Sequence, residues 1–158
     1  MKINNFFKLV IAIVVCELAG VVGSFFTVSA ITSWYAGIVK PALNPPNWVF
    51  APVWTALYLL MGIAAFLIWK NGWEKKEVNM ALGIFGIQLV LNAAWSIIFF
   101  GLHSPGAAFI EIIFLWLAIV AAIIAFARIS RPAAWLLAPY ILWVSFAAYL
   151  NYSIWILN

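Results

Sequence analysis

Charged residues are scarce in this chain, and their scarcity excludes most soluble folds. Of 158 residues, eight are Lys or Arg, four are Asp or Glu and one is His, so that 8% are charged while 68% are hydrophobic. A soluble domain of this size cannot bury so much apolar surface. The composition therefore predicts that the chain lies in a lipid bilayer, which is an apolar solvent.

Cysteine and histidine occur once each, at Cys16 and His103. A single cysteine cannot form an internal disulfide. The sequence contains no Ser–His–Asp set, no cluster of metal ligands and no phosphate-binding loop. We therefore expect neither conventional hydrolysis nor metal catalysis, and no metal site.

Long apolar runs occupy nearly the whole chain. Because a lipid-spanning helix needs about 20 apolar residues, the sequence predicts five spans: Phe6–Phe26, Trp48–Trp69, Val78–Leu102, Gly106–Phe126 and Ala133–Ile156. The first run is too long for a typical signal peptide, so we interpret it as a retained helix. The predicted fold class is an all-α membrane protein, a bundle of five transmembrane helices with a structured first loop, forming a single domain over residues 1–158.

The basic residues are unevenly distributed among the predicted loops. Seven of the eight fall on one side of a five-span topology: Lys2, Lys8, Lys70, Lys75, Lys76, Arg128 and Arg131. Cytoplasmic loops carry such an excess. We therefore expect a cytoplasmic N-terminus and an external C-terminus, and we interpret the net charge of +4 as topology and not as a nucleic-acid interface.

The stretch from Trp34 to Tyr58, which joins the first two spans, is unusually rich in aromatic residues and proline. Proline fixes its own φ angle and restricts the residue before it, so we expect a stiff connector. A stiff aromatic connector at the membrane surface suggests a lid over a cavity.

Three stripes of polar and aromatic residues lie on the predicted helices. They are Trp54, Tyr58 and Met61 on the second span, Asn92, Trp95 and Ser96 on the third, and Trp143, Ala147 and Asn151 on the fifth. At a rise of about 1.5 Å per residue, Trp54, Asn92 and Trp143 lie roughly 9–20 Å below the outer ends of their helices. Polar groups in a span usually face the bundle interior, so the stripes can converge beneath the lid. The alternative for any single tryptophan is helix packing or an interfacial aromatic belt.

Motifs along the whole chain resemble those of the TspO/MBR family, the bacterial homologues of mitochondrial translocator protein. The matching elements are Trp34-Tyr35, Lys40-Pro41, Pro45-Pro46-x-Trp48, Pro52-Val53-Trp54, Leu57-Tyr58, Met61-Gly62, Asn92-x-x-Trp95-Ser96 and Pro139-Tyr140-x-x-Trp143-x-x-x-Ala147-x-x-Leu150-Asn151. The resemblance implies a five-helix bundle, commonly a homodimer, in the bacterial cell membrane. It also implies a receptor for porphyrins such as protoporphyrin IX and haem, bound as ligands, with no cofactor required.

The resemblance further implies which residues bind the ligand. By motif position these are Tyr35, Trp54, Asn92, Trp95, Ser96, Trp143 and Ala147, and the second-span stripe adds Tyr58. Two alternatives to a sensing or binding protein remain open. One is an enzyme that degrades protoporphyrin in light, with Trp54 and Trp143 as catalytic candidates, and the other is a porphyrin or sterol transporter. The sterol motif of the animal proteins is incomplete here, because no basic residue follows Leu150 and Tyr152.

The sequence also suggests roles for the remaining polar residues. Lys40 can pair with a porphyrin propionate or be a solvated loop charge, and we expect His103 to be a surface turn residue and not a haem ligand. Glu17 should be neutral or paired inside the bundle, whereas Glu111 is near enough to a helix end to extend outward.

Two helix faces are also assigned from the sequence. The fourth span is the most uniformly apolar, so we expect it to face lipid. Gly83 and Gly86, small residues on the third span, predict a dimer face.

Overall fold

The computed structural model describes residues 3–158, which form seven α-helices and one π-helical segment. The helices are α1 (Asn5–Ile31), α2 (Trp34–Gly37), α3 (Asn47–Trp69), α4 (Lys76–Ser96), α5 (Pro105–Ala127), α6 (Arg131–Leu136) and α7 (Ala138–Leu157), and the π segment (Ile97–Gly101) continues α4. Within the described residues, five helical stretches are long and apolar enough to cross a membrane. The predicted fold class, a bundle of five transmembrane helices, is confirmed.

The first helix is longer than predicted. The predicted span ended at Phe26, whereas α1 continues to Ile31. The hydroxyl groups of Thr27 and Ser29 donate to carbonyl oxygens of the preceding turn of α1. Because these polar side chains are satisfied within the helix, they do not end it, and the connector to α3 is shorter than the sequence indicated.

The fifth span is interrupted near Pro139. Helix α6 ends at Leu136 and α7 begins at Ala138, so that Pro139 lies in the first turn of α7. Proline lacks a backbone N–H and is tolerated in a first turn, where that group would have no intrahelical partner.

The fourth span is exposed on one face and packed on the other, so the expectation that it faces lipid describes only one of its faces. Helix α5 packs against α4 and α7 and buries a stripe that includes Ala108, Ile112, Leu115, Ile119 and Ala122. Its other face is exposed. Apolar composition cannot separate the two environments, because lipid tails are as apolar as a packed interior.

The loop between α1 and α3 is attached at several points to the end of the bundle where α7 ends. The side-chain amide of Asn158 bonds to the backbone of Val39, accepting from its N–H at 2.9 Å and donating to its carbonyl at 3.0 Å. Trp34 stacks on His103, with ring centroids 4.6 Å apart. The loop is thus held against both the C-terminal helix and the turn before α5.

Candidate functional site

A groove opens in the half of the bundle that carries the loop between α1 and α3, with a cavity volume of about 330 Å³. Its walls are the C-terminal half of α1, the N-terminal half of α3, the junction of α4 with the π segment, and the middle of α7. The volume lies at the small end of the range for ligand sites, about 300–1,000 Å³.

Small residues of α1 form one wall of the groove. Gly20 and Gly23 lie on the same helix face, since residues three or four apart are neighbours. A Cβ atom on Gly20 would lie 2.5 Å from the Tyr58 ring, and one on Gly23 would lie 3.0 Å from the Ser96 Oγ. These glycines allow α1 to approach its neighbours closely, and they form part of the groove wall.

Aromatic rings form the opposite walls. The Trp54 and Tyr58 rings stack with centroids 5.6 Å apart and planes 28° apart. One turn before Trp54 on α3, Phe50 meets Trp143 of α7 edge-on at 6.2 Å. The rings flank an apolar slot, and flat rings are suited to packing against a flat ligand.

Six of the eight predicted site residues line this groove: Trp54, Tyr58, Trp95, Ser96, Trp143 and Ala147. Tyr35 does not, and it lines a neighbouring cavity of about 30 Å³ beneath the loop. Asn92 does not either, because its side chain is buried behind Tyr58. The structure therefore brings six predicted residues together on the groove walls. It places the other two, Tyr35 and Asn92, next to the groove but not on its walls.

Asn92 belongs to a buried hydrogen-bond network that joins three helices. The Tyr58 hydroxyl donates to the Asn92 side-chain oxygen, and the Asn92 amide donates to the Tyr140 hydroxyl at 2.9 Å. Tyr140 in turn donates to Gln88 at 2.7 Å. A buried polar group without a partner is costly, so this network holds the Tyr58 ring in position as part of the groove wall.

A second network supports Trp95. Its indole N–H donates to the side-chain oxygen of Asn151 at 2.9 Å, and the Asn151 amide donates to the carbonyl of Pro105 at 2.7 Å. Trp95 is thereby joined to α7 and to the start of α5.

Sequence reasoning missed the supporting roles of Gln88 and Tyr140, and the groove contacts of Phe50 and Phe100. A signal for Gln88 was available, because it lies four residues before Asn92 and so shares its helix face. Nothing comparable in the sequence marked the two phenylalanines, since phenylalanine is common throughout the chain.

Tyr35 anchors the loop beside the groove. Its hydroxyl donates to the side-chain oxygen of Asn44 at 2.8 Å, and the Lys40 ammonium lies 4.8 Å from the centre of its ring. Burial raises the pKa of the Tyr35 phenol, an effect that the hydrogen bond to Asn44 partly opposes. The phenol therefore remains a donor, and the Lys40 ammonium is held against the loop and outside the groove.

The single histidine lies where the sequence placed it. His103 is an exposed turn residue with a φ of 52°, stacked on Trp34. It is not among the described residues that line the groove.

One of the two carboxyl groups within the spans differs from expectation. Glu111 does not extend outward, because both its carboxylate oxygens are buried and without a hydrogen-bond partner in the described part of the chain. It lies beside Ile112 on the packed side of α5, and this helix position directs it inward. Glu17 lines the groove.

Comparisons with known proteins agree with the fold. The model of the TspO/MBR family matches residues 12–156. A protein named tryptophan-rich protein TspO from Chlorobaculum tepidum is 48% identical over 150 residues, covering 95% of each chain. Another of that name from Archaeoglobus fulgidus is 44% identical over 98% of this chain and 99% of its own. The translocator protein of Homo sapiens is 42% identical over 85% of this chain and 80% of its own.

Proposed function

This chain belongs to the TspO/MBR family, and from that premise we propose that it is a membrane-embedded binding protein for porphyrins and similar flat, hydrophobic ligands. The observation that carries the proposal is the groove walled by the rings of Trp54, Tyr58 and Trp143. Sites for flat apolar molecules are concave and mostly apolar, with few polar groups. A sensing or transfer role would use the same bound state.

The groove offers few polar contacts, as this ligand class requires. Ser24 and Thr27 donate their hydroxyl protons to carbonyl oxygens of their own helix, and Trp95 donates to Asn151. The groove walls therefore bury a ligand chiefly by apolar and aromatic contact, which contributes about 25 cal/mol for each Å² of apolar surface removed from water.

A titration of tryptophan fluorescence with protoporphyrin IX tests the proposal. We expect micromolar ligand to quench the wild-type protein in nanodiscs. Ala147 lines the groove, and Ala147→Leu adds three carbon atoms to that space. We expect this variant to raise Kd about tenfold, equivalent to about 1.4 kcal/mol, without loss of helicity, because alanine and leucine have similar helix propensities.

The matched control is Ala56→Leu on the exposed side of α3, outside the groove. We expect its Kd to stay within about twofold of the wild-type value, since the added side chain meets lipid, which is as apolar as leucine. Equal effects of the two substitutions, or no quenching of the wild-type protein, would contradict the proposal.

Illumination of the same samples addresses the alternative of porphyrin degradation. If the groove only binds, porphyrin absorbance under light declines no faster with protein than in empty nanodiscs. A protein-dependent decline that Trp54→Phe and Trp143→Phe abolish, while binding persists, would favour the enzyme instead. Net porphyrin movement across sealed vesicles would favour the transporter.

We also propose that the chain resides in the bacterial cell membrane with its N-terminus in the cytoplasm. The Lys8 ammonium lies 5.8 Å from the Trp69 ring, so the start of α1 and the end of α3 share one side of the bundle. The contact between Val39 and Asn158 lies on the other side. The basic loops are thus gathered on the side that the positive-inside rule assigns to the cytoplasm.

A homodimer through α4 is proposed as well. A Cβ atom added to Gly83 or Gly86 would meet nothing within 4 Å, so the chain itself leaves this face open to a second copy, and small residues allow close helix approach. We expect Gly83→Leu combined with Gly86→Leu to halve the protein mass measured by light scattering in detergent. Folding should persist, because leucine is a better helix former than glycine. A dimer of unchanged mass would exclude this face.

A further inference from the structure

The groove contains one charged residue among the described residues that line it, Glu17. Glu17 lies 14 residues before the end of α1 at Ile31 and 12 residues after its start at Asn5, which corresponds to about 21 Å and 18 Å along the helix axis. A glutamate side chain is far too short to reach either membrane surface from there. An ionisable group in such a position is costly, and its presence points to a function.

Two hydroxyl groups on the groove walls are already engaged as donors. The Tyr58 hydroxyl donates to Asn92, and the Ser24 hydroxyl donates to the carbonyl of Val21. Lysine, arginine and histidine are absent from the described residues of the groove walls. The inner end of the groove therefore presents a carboxyl group as an acceptor with no basic partner supplied by those walls.

Aromatic surface lies next to this carboxyl group. Gly20, three residues further along the same face of α1, is in contact with the Tyr58 ring, and that ring stacks on Trp54. The inner end thus combines an acidic group with the face of an aromatic system. This combination suits a cation, because a charge-assisted hydrogen bond and a cation–π contact act together.

We propose that Glu17 forms a subsite at the inner end of the groove. This subsite selects flat hydrophobic ligands that carry a basic nitrogen at the end that lies deepest in the groove. The ammonium group pairs with the Glu17 carboxylate, and the flat ring system lies between the aromatic walls above it. The inference rests on the proposed function in using the same groove as a ligand site, but it does not require that the ligand be a porphyrin.

Two fluorescent probes of matched shape test the subsite, 9-methylanthracene and 9-(aminomethyl)anthracene. Both are titrated against the protein in phosphatidylcholine nanodiscs, with empty nanodiscs subtracted. We expect the wild-type protein to bind the ammonium probe about tenfold more tightly, a preference of about 1.4 kcal/mol. In Glu17→Gln, which keeps the shape but removes the acid, the preference should fall to within about twofold while the methyl probe binds as before.

Two further variants complete the design. Glu17→Asp keeps the carboxyl group and should retain part of the preference, whereas Ser29→Ala, at an exposed position of α1 that does not line the groove, should leave the preference unchanged. Binding of the methyl probe verifies that each variant is folded. The absence of any preference in the wild-type protein, or an equal preference in both the wild type and Glu17→Gln, would overturn the subsite.

The outcome can be separated from that of the proposed function. An ammonium preference that depends on Glu17, together with no binding of protoporphyrin IX, would support the subsite and reject the porphyrin ligand. Porphyrin binding that Ala147→Leu weakens, together with no Glu17-dependent preference, would reject the subsite alone.

Discussion

Replacing Gly62 by alanine is expected to destabilise the bundle by about 1–3 kcal/mol, the usual range for overpacking a tight interface. Gly62 lies on α3 where that helix meets α1. A Cβ atom there would lie 2.6 Å from the Cα atom of Ile13 and 3.0 Å from its backbone nitrogen. A backbone atom cannot rotate away as the end of a side chain can, so α1 as a whole must move.

The measurement is the free energy of unfolding in mixed detergent micelles, with Gly83→Ala as the matched control. An added Cβ atom at Gly83 meets no atom of its own chain within 4 Å, so at protein concentrations low enough to keep the chain monomeric alanine there should stabilise α4 by up to about 1 kcal/mol through helix propensity. The same substitution should therefore have opposite signs at the two positions. Similar effects at both would contradict the close packing of α1 on α3.

The displacement of α1 should also affect the groove, because α1 forms one of its walls. We expect Gly62→Ala to weaken binding of protoporphyrin IX several-fold, although Gly62 itself does not line the groove. This effect would show that ligand affinity depends on how closely the two helices approach.

Replacing Asn92 by leucine is the second substitution with a large expected effect. Asn92 accepts from the Tyr58 hydroxyl and donates to Tyr140, and its side chain is buried. Leucine leaves the Tyr58 hydroxyl without an acceptor, which costs about 1–3 kcal/mol for a buried group. Hydrogen bonds within membranes often contribute less, about 0.6 kcal/mol on average, so we expect a loss near the lower end of that range.

A double-mutant cycle with Tyr58→Phe isolates the hydrogen bond. The phenylalanine removes the orphaned hydroxyl, so Tyr58→Phe should be destabilising in the wild-type protein and nearly neutral in Asn92→Leu. The coupling energy between the two substitutions is the measured quantity. Strictly additive effects would show that the bond contributes nothing to stability.

The same double-mutant cycle can be applied to ligand affinity instead of stability. Tyr58 forms part of the groove wall and Asn92 does not, so Asn92→Leu can affect the ligand only through the position of the Tyr58 ring. A lower affinity that Tyr58→Phe does not worsen would identify Asn92 as a positioning residue.

Some features of the site were predictable because they depend on one helix at a time. The spacing of four between Asn92 and Ser96, and between Trp143 and Ala147, determines a shared face in any α-helix. Burial of Asn92 and Asn151 also follows from sequence, since a polar amide is costly in lipid. These predictions needed no knowledge of which helices are neighbours.

Other features required the positions of several helices. Asn92 and Ser96 share a face, yet Ser96 reaches the groove and Asn92 lies behind Tyr58. Which of the two is exposed to the groove depends on how far the Tyr58 side chain of α3 extends across α4. The same reason explains Glu111, whose carboxyl group is enclosed by neighbouring helices instead of reaching the membrane surface.

The sequence by itself determined that the chain lies in lipid, how many spans it has and which residues share a helix face. These features follow from hydropathy and helical periodicity, which are properties of one segment. The tertiary structure alone decided which faces meet. It placed Gly20 against Tyr58, buried one side of the apolar α5, and divided the Trp34–Tyr58 stretch into an anchored loop and the first half of α3, which lines the groove. The physical reason is that helix packing in lipid depends on the fit of opposing surfaces, which segment hydropathy does not encode.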